Sequence, residues 1–193
     1  VCTDSKEVKS VCESYKVPSI LTSSCSTGTD RIAMALKDME VDYVINLQGD
    51  EPLIGPSSLE LLINMIPELN KSEDKIITGI SAVGSEEAFD PNNVKCAFIE
   101  KQQKVQYLSR KPLLNNVEKN GHASYYKQIG LYAMSTKTLK KFSSLEEGTL
   151  EKAEKIELLR WIENGHEILG CKLNCDSISV DTPIDLVNVI AKL

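Results

Sequence analysis

Residues 41–54 read Val41-Asp42-Tyr43-Val44-Ile45-Asn46-Leu47-Gln48-Gly49-Asp50-Glu51-Pro52-Leu53-Ile54. Tyr43 to Leu47 is rich in β-branched and aromatic residues, which predicts a short buried strand. The run ends sharply. Gly49 permits a turn, Pro52 removes a pairing donor, and Asp50 and Glu51 stand at the strand's carboxyl end. Open α/β sheets collect their ligands at that end. Asp50, with Gln48 beside it, suits a magnesium ion and a phosphorylated ligand. The same residues also suit a solvated loop leading to a helix over Ser57–Glu68.

Working outward, Val1-Cys2-Thr3-Asp4 resembles the end of a strand that enters a helix at Ser5, with Val8, Val11, Cys12 and Tyr15 on one face. A chain that opens in mid-strand without an initiator Met is expected to be a fragment lacking its natural N-terminus. Pro18 to Leu21 is a second short strand. A Ser/Thr-rich loop follows and ends in Thr27-Gly28-Thr29-Asp30-Arg31, ahead of an amphipathic helix marked by Ile32, Ala35, Leu36 and Met39. Such a helix start offers N–H groups to an anion or nucleotide, or is simply capped by Thr29 or Asp30. It is not a P-loop, because no G-x-x-x-x-G-K is present. The predicted Ser57–Glu68 helix turns Leu59, Leu62, Ile63 and Ile66 inward, and Ile76 to Val83 is another strand. The resulting β-α-β-α-β-α-β order predicts an α/β domain with a Rossmann-like, mostly parallel sheet flanked by helices.

Then the pattern changes. Val94–Glu100 and Val105–Ser109 predict a hairpin-like pair, Arg110 to Ser124 a long loop fit for binding, and Tyr126 to Met134 a strand with Gln128, Gly130 and Tyr132 on one face. This antiparallel excursion, roughly Val94–Tyr132, is also the expected seat of a homodimer. Helices are predicted over Thr136–Phe142 and Leu150–Asn164, the second closed by Gly165. Its Glu151, Glu154 and Glu157, set among Lys152 and Lys155, predict a solvated face. Strands follow at Ile168–Leu173 and Ile178–Val180. Thr182, Pro183 and Asp185 make a self-sufficient cap for the last helix, which leaves Asp181 free to point into the crevice. Two aspartates on separate strand ends can share one magnesium ion and fix an in-line attack on a phosphorus.

Composition narrows the classes. The 193 residues are 41% hydrophobic and 26% charged, as in an ordinary globular domain, and the net charge of -6 argues against an electrostatic nucleic-acid binder. Six cysteines without a C-x-x-C pair, and only two histidines, give no zinc spacing; reduced cysteines, mostly in the core, are expected. No apolar run is long enough to span a membrane and no signal peptide opens the chain, so a cytoplasmic protein without membrane partners is expected.

Read together, several stretches resemble the 3-deoxy-manno-octulosonate (Kdo) cytidylyltransferases. Thr27-Gly28-Thr29-Asp30-Arg31 is similar to the family's S-G-T-[DE]-R loop, and Val44 to Pro52 to its V-x-N-x-Q-G-D-E-P motif. Phe89-Asp90-Pro91-Asn92-Asn93-Val94-Lys95, Tyr107-Leu108-Ser109-Arg110, Gly130-Leu131-Tyr132, Leu150 to Glu154, Glu157 with Arg160, and Val180-Asp181-Thr182-Pro183 follow in family order. The resemblance spans essentially the whole chain and implies a nucleotide-diphospho-sugar transferase type of fold. It implies that CTP and Kdo give CMP-Kdo and pyrophosphate, with Asp50 and Asp181 as magnesium ligands. It further implies that Gln48 and Arg31 place sugar or nucleotide, that Thr27, Gly28 and Thr29 lie against the nucleotide, and that Arg110, Tyr132 and Glu157 line the sugar-acid pocket, with Gln128 beside them.

The sequence departs from the family at three points. An opening strand and a Pro-Ala-Arg…Arg-x-Pro-x-Lys loop would precede Val1, and weak CTP binding is expected without their cations. Gln128 stands where relatives often carry His, and Leu158 where many carry Gln. Both changes are expected near the sugar pocket, which keeps open 8-amino-Kdo, sialic or legionaminic acid as the substrate. A catalytically inactive binding subunit is the rival from another class. A dehydrogenase is set aside for want of a G-x-G-x-x-G.

Overall fold

The computed structural model describes residues 1–70, 74–113, 125–175 and 177–193. Its strands are β1 Cys2–Thr3, β2 Ile20–Leu21, β3 Tyr43–Leu47, β4 Lys75–Val83, β5 Lys95–Ile99, β6 Lys104–Ser109, β7 Tyr125–Ser135 and β8 Glu167–Lys172. Its helices are α1 Lys6–Ser14, α2 Gly28–Ala35, α3 Pro56–Asn64, α4 Pro67–Asn70, α5 Ser85–Phe89, α6 Thr136–Ser144, α7 Thr149–Glu154, α8 Leu158–Glu163 and α9 Pro183–Ile190. Residues 114–124, most of the loop read as a binding loop and part of the expected dimer excursion, lie outside the described residues.

β1 and β2 form a small parallel sheet, and the other strands form a larger one in the order β3-β7-β4-β8-β6-β5. The α/β class and the flanking helices are as the sequence predicts. The excursion, however, is not peripheral. β7 lies in the middle, antiparallel to β3 and β4, so β3 and β4 run the same way without touching. Among the described ladders of the larger sheet only β4 with β8 is parallel, although β3, β4, β5 and β8 all point in one direction. Strand pairing is a tertiary choice, and the helical spacing that predicts parallel direction does not say which strand is inserted later.

Period-two alternation sorts the core onto two faces. Ile76, Ile80, Tyr132, Met134 and Ile168 pack with Leu139, Phe142, Leu158 and Trp161 on one face. Ile77, Leu131, Ala133, Leu169 and Cys171 pack with Leu62 and Leu69 of α3 and α4 on the other.

Several local predictions are corrected. The Ser57–Glu68 helix breaks ahead of Pro67, whose ring cannot continue it, and Ile63 is exposed. Of the α1 face only Cys12 is buried, because α1 packs on a two-stranded sheet too small to cover Val8, Val11 and Tyr15. Ile178–Val180 joins no ladder. The Leu150–Asn164 helix splits into α7 and α8 at Lys155, which takes the left-handed conformation with φ 56°. Its charge run is not a solvated face, for Glu151 is buried. All six cysteines are free, and only Cys12, Cys96 and Cys171 are buried, so, contrary to the sequence expectation, the cysteines are not mostly core residues.

Candidate active site

The site lies where β7 changes partners. β3 follows β7 as far as Leu47 opposite Leu131, and one more bond runs from Gln48 N–H to the Gly130 carbonyl at 2.8 Å. Pro52 and the Gly49 turn then carry the chain away. Beyond the gap, Gln128 N–H reaches the Val94 carbonyl at 2.8 Å, and β5 takes over the same edge with Lys95 opposite Lys127. β5 pairs with β6, β6 with β8 and β8 with β4, which closes a circuit back to β7. The fork between β3 and β5 is thus braced on all sides. A topological switch of this kind leaves a crevice at strand ends.

A cavity of about 340 Å³ fills the fork. Gln48, Asp50 and Glu51 enter it from the end of β3, and Gln128, Gly130 and Tyr132 from alternate positions of β7. Ser26, Thr27 and Gly28 come from the start of α2, Asn92 to Val94 from the approach to β5, and Arg110 from the end of β6. Lys155, Ile156 and Glu157 come from the break between α7 and α8, and Ser179 and Asp181 from the approach to α9. Residues scattered from Ser26 to Asp181 therefore meet in one place. The start of α2 carries the Thr27 cap, whose hydroxyl accepts from Asp30 N–H at 3.1 Å.

A hydrogen-bonded cluster forms one wall. Gln128 Nε2 donates to the Tyr132 hydroxyl at 2.6 Å. Gln48 Nε2 donates to that hydroxyl at 3.3 Å and to Glu157 Oε1 at 3.2 Å. Thr29 N–H holds the other Glu157 oxygen at 3.2 Å. Burial raises the pKa of Glu157 despite these bonds, and it pushes the Tyr132 phenol well above its ordinary range.

The opposite wall is acidic. Burial raises the Asp50 pKa, and the neighbouring charges of Glu51 and Asp181 raise it further. Partial burial also raises that of Asp181. Asp50 Oδ1 and Gln128 Oε1 are buried without a hydrogen-bond partner among the described residues. An orphaned carboxylate oxygen next to a second carboxylate is a donor set for a hard cation. No group of three or more His, Cys, Asp or Glu able to hold a metal occurs among the described residues, so such an ion would draw its remaining ligands from substrate or water.

Behind the cavity lies a buried ion cluster. Arg160 donates to both oxygens of Glu151, at 2.8 and 2.7 Å, and to both oxygens of Asp30, at 3.0 and 3.2 Å. Asp30 in turn accepts from the Thr27 hydroxyl at 2.9 Å. The cluster ties the start of α2 to the two helices that frame Glu157. Lys95 Nζ, fully buried, holds the Asp90 and Asn93 carbonyls at 2.7 Å and so shapes the Asn92–Asn93 rim.

Nine of the eleven residues singled out in the sequence line the cavity: Thr27, Gly28, Gln48, Asp50, Arg110, Gln128, Tyr132, Glu157 and Asp181. Two do not. Arg31 turns outward to Thr22, at 2.7 Å, and Asp4, at 3.0 Å, which fastens α2 to the β1–β2 sheet. Thr29 is buried beneath Glu157 and acts on it through its N–H. Arg110 lines the cavity but spends most of its donors on the carbonyls of Pro91, Asn92, Glu154 and Lys155. Leu158, expected near the pocket, sits fully buried in the core, since the first turn of α8 points it at the sheet. Of the two substituted positions expected near the sugar pocket, only Gln128 faces the cavity. Sequence reasoning missed Glu51, Ser179, Lys155 and Asn92. Of these, Glu51 had a signal, since an acidic residue beside Asp50 at a strand end is as well placed as Asp50 itself.

Gly130 is required by close approach. A Cβ there would stand 2.7 Å from Gln48 Oε1 and 3.0 Å from Glu51 Cγ. Gly130→Ala is expected to displace Gln48 and Glu51 and to cost about 1–3 kcal/mol of stability. Urea unfolding checks the stability, and turnover should fall by more than that loss explains.

The family model described as cytidylyltransferase matches residues 1–168. A 3-deoxy-manno-octulosonate cytidylyltransferase of Chlorobium limicola is 35% identical over 188 residues, covering 96% of this chain and 76% of that one. An 8-amino-3,8-dideoxy-manno-octulosonate cytidylyltransferase of Shewanella sp. strain ANA-3 is 37% identical over 191 residues, covering 96% and 77%. Among solved structures, CMP:2-keto-3-deoxy-manno-octonic acid synthetase complexed with CTP matches with a TM-score of 0.85 at 31% identity, over 98% of this chain and 77% of that one. With this fold and this run of likeness from end to end, the chain belongs to the 3-deoxy-manno-octulosonate cytidylyltransferase family.

Proposed function

We propose that this cavity activates Kdo with CTP, giving CMP-Kdo and pyrophosphate for lipopolysaccharide or a related surface glycan. The anomeric hydroxyl of the sugar attacks the α-phosphorus in line, and the bond between the α- and β-phosphates breaks. The observation that carries this reading is the pair Asp50 and Asp181, one with an orphaned buried oxygen, in a cavity also lined by the hydrogen-bonded Gln48, Gln128, Tyr132 and Glu157. A magnesium ion held by the two carboxylates would neutralise triphosphate charge and polarise the α-phosphate. The chain's own residues position the reactants. Thr27 and Gly28, at the start of α2, lie against the nucleotide. Gln48, Tyr132, Gln128 and Glu157 orient the sugar hydroxyls. The Arg110 guanidinium, held rigidly by carbonyls, supplies positive charge near the sugar carboxylate. Holding both reactants in line is most of what nucleotidyl transfer needs.

No helix among the described residues is long and apolar enough to cross a membrane. We expect the enzyme to work in the cytoplasm, where CTP is made, and as a homodimer, which sedimentation equilibrium would test.

The function is tested by following pyrophosphate release with CTP, magnesium and a panel of sugar acids. Release with Kdo, absent without the sugar or the metal, is the expected result. The unpartnered Gln128 Oε1 would also accept a hydrogen bond from an ammonium group. Release with 8-amino-Kdo alone would therefore keep the chemistry and move the substrate. No release with any acid would overturn the reading.

A further inference from the structure

Asp181 has no strand to hold it. Among the described residues the segment before it joins no ladder, and of the Thr182–Asp185 cap only one long bond, from Asp181 N–H to Asp185 Oδ2 at 3.3 Å, reaches back to it. Yet Asp181 and Asp50 come from opposite ends of the chain and must be placed to within a fraction of an ångström to share one ion. Lys127 Nζ of β7 holds the Ser177 carbonyl at 2.8 Å, and the side chain that ties residues 177–181 to the end of β3 is that of Glu51.

Glu51 is 4% exposed, and each bond its carboxylate makes crosses between segments. Oε1 accepts from Gly130 N–H of β7 at 2.9 Å and from the Ser179 hydroxyl at 2.8 Å, while Oε2 accepts from the Ser177 hydroxyl. Ser177 and Ser179 stand two residues apart, and both hydroxyls reach Glu51. Just after Ser179, Val180 N–H donates to the Asp50 carbonyl at 2.9 Å, and Asp181 is the next residue. One carboxylate thus does the work of a missing strand pairing. From the geometry we infer that Glu51 is the positioning residue that sets Asp181 opposite Asp50, an inference that rests on reading those two aspartates as the cation pair.

A carboxylate that only packed the fold could be lost with a general drop in stability. A carboxylate that sets the ligand spacing leaves a different mark. Glu51→Ala risks misfolding, because it leaves Gly130 N–H unsatisfied, so the decisive variant is Ser177→Ala/Ser179→Ala, which cuts the tie from the far side. Glu51→Gln keeps the shape and should give an intermediate effect.

Two quantities are read: the magnesium concentration for half-maximal pyrophosphate release, and hydrogen exchange at the Val180 and Asp181 amides without nucleotide or metal. In the double-serine variant half-saturation is expected to rise about tenfold or more, and exchange at those two amides to quicken while β4 and β8 stay protected. Wild-type exchange at those amides, or a wild-type magnesium dependence, would overturn the positioning role. Asp181→Asn serves as the control on the underlying reading. Near-normal turnover there would bring down the cation pair itself, whereas an inactive Asp181→Asn with unchanged serine variants would bring down only the placement by Glu51.

Discussion

Asp50→Asn is expected to lower pyrophosphate release by about a thousandfold at saturating magnesium, the scale of several kcal/mol of transition-state charge stabilisation. The amide keeps the shape of the side chain and removes the charge that would anchor the cation. Because the effect would come from lost charge, raising the magnesium concentration should restore little. A loss smaller than about tenfold would remove Asp50 from the reaction.

The same substitution should not harm the fold. The folded pKa of Asp50 is raised, by burial first and by Glu51 and Asp181 next. A raised carboxyl favours the fold while protonated, and that contribution fades as pH climbs through its folded value. Without metal at neutral pH the ionised group is therefore a cost, so Asp50→Asn should match or exceed the wild-type melting temperature. The advantage should vanish below the usual Asp range. Thermal melts in a metal chelator at pH 7 and pH 3.5 would check this sign.

Arg160→Ala is expected to have the largest effect on stability, about 3–5 kcal/mol. Arg160 and Glu151 are each 3% exposed, and the guanidinium bridges Glu151 to Asp30 through five hydrogen bonds. Removing it strands two carboxylates, one of them deep in the protein. Arg160→Lys should recover only part, since an ammonium carries the charge without the planar fork that reaches both partners. Urea denaturation of the three proteins measures the series. A loss below about 1 kcal/mol in Arg160→Ala would mean that the cluster relaxes or admits water. The cluster also holds the start of α2 against the Glu157 turn, so any surviving Arg160→Ala protein should show a raised KM for both substrates.

Local chemistry made much of this legible. The β-branched run Tyr43–Leu47, stopped by Gly49 and Pro52, announced β3 and the place of Asp50. The spacing of Gln128, Gly130 and Tyr132 put all three on one face of β7, where they line the cavity. Thr182 with Asp185 announced the start of α9. The failures share a cause. Glu151 and Arg160 sit nine residues apart in a stretch whose charge pattern fits an exposed helix, and only the break at Lys155 folds them onto each other. Arg31 carries a motif's charge but turns to Asp4, because β1 and β2 pass beside it.

The sequence by itself determined where most of the strands and helices lie, which residues alternate, and which carboxylates stand at chain turns, because each depends on neighbours a few residues away. Only the tertiary structure decided that β7 runs between β3 and β4, that the fork between β3 and β5 opens at Gly130, and that Glu51 grips Ser177 and Ser179. These rest on hydrogen bonds and burial between segments distant in the chain, from 30 residues for Cys96 and Tyr126 to 128 for Glu51 and Ser179, and no local propensity encodes which distant partner a strand edge or a buried carboxylate will find.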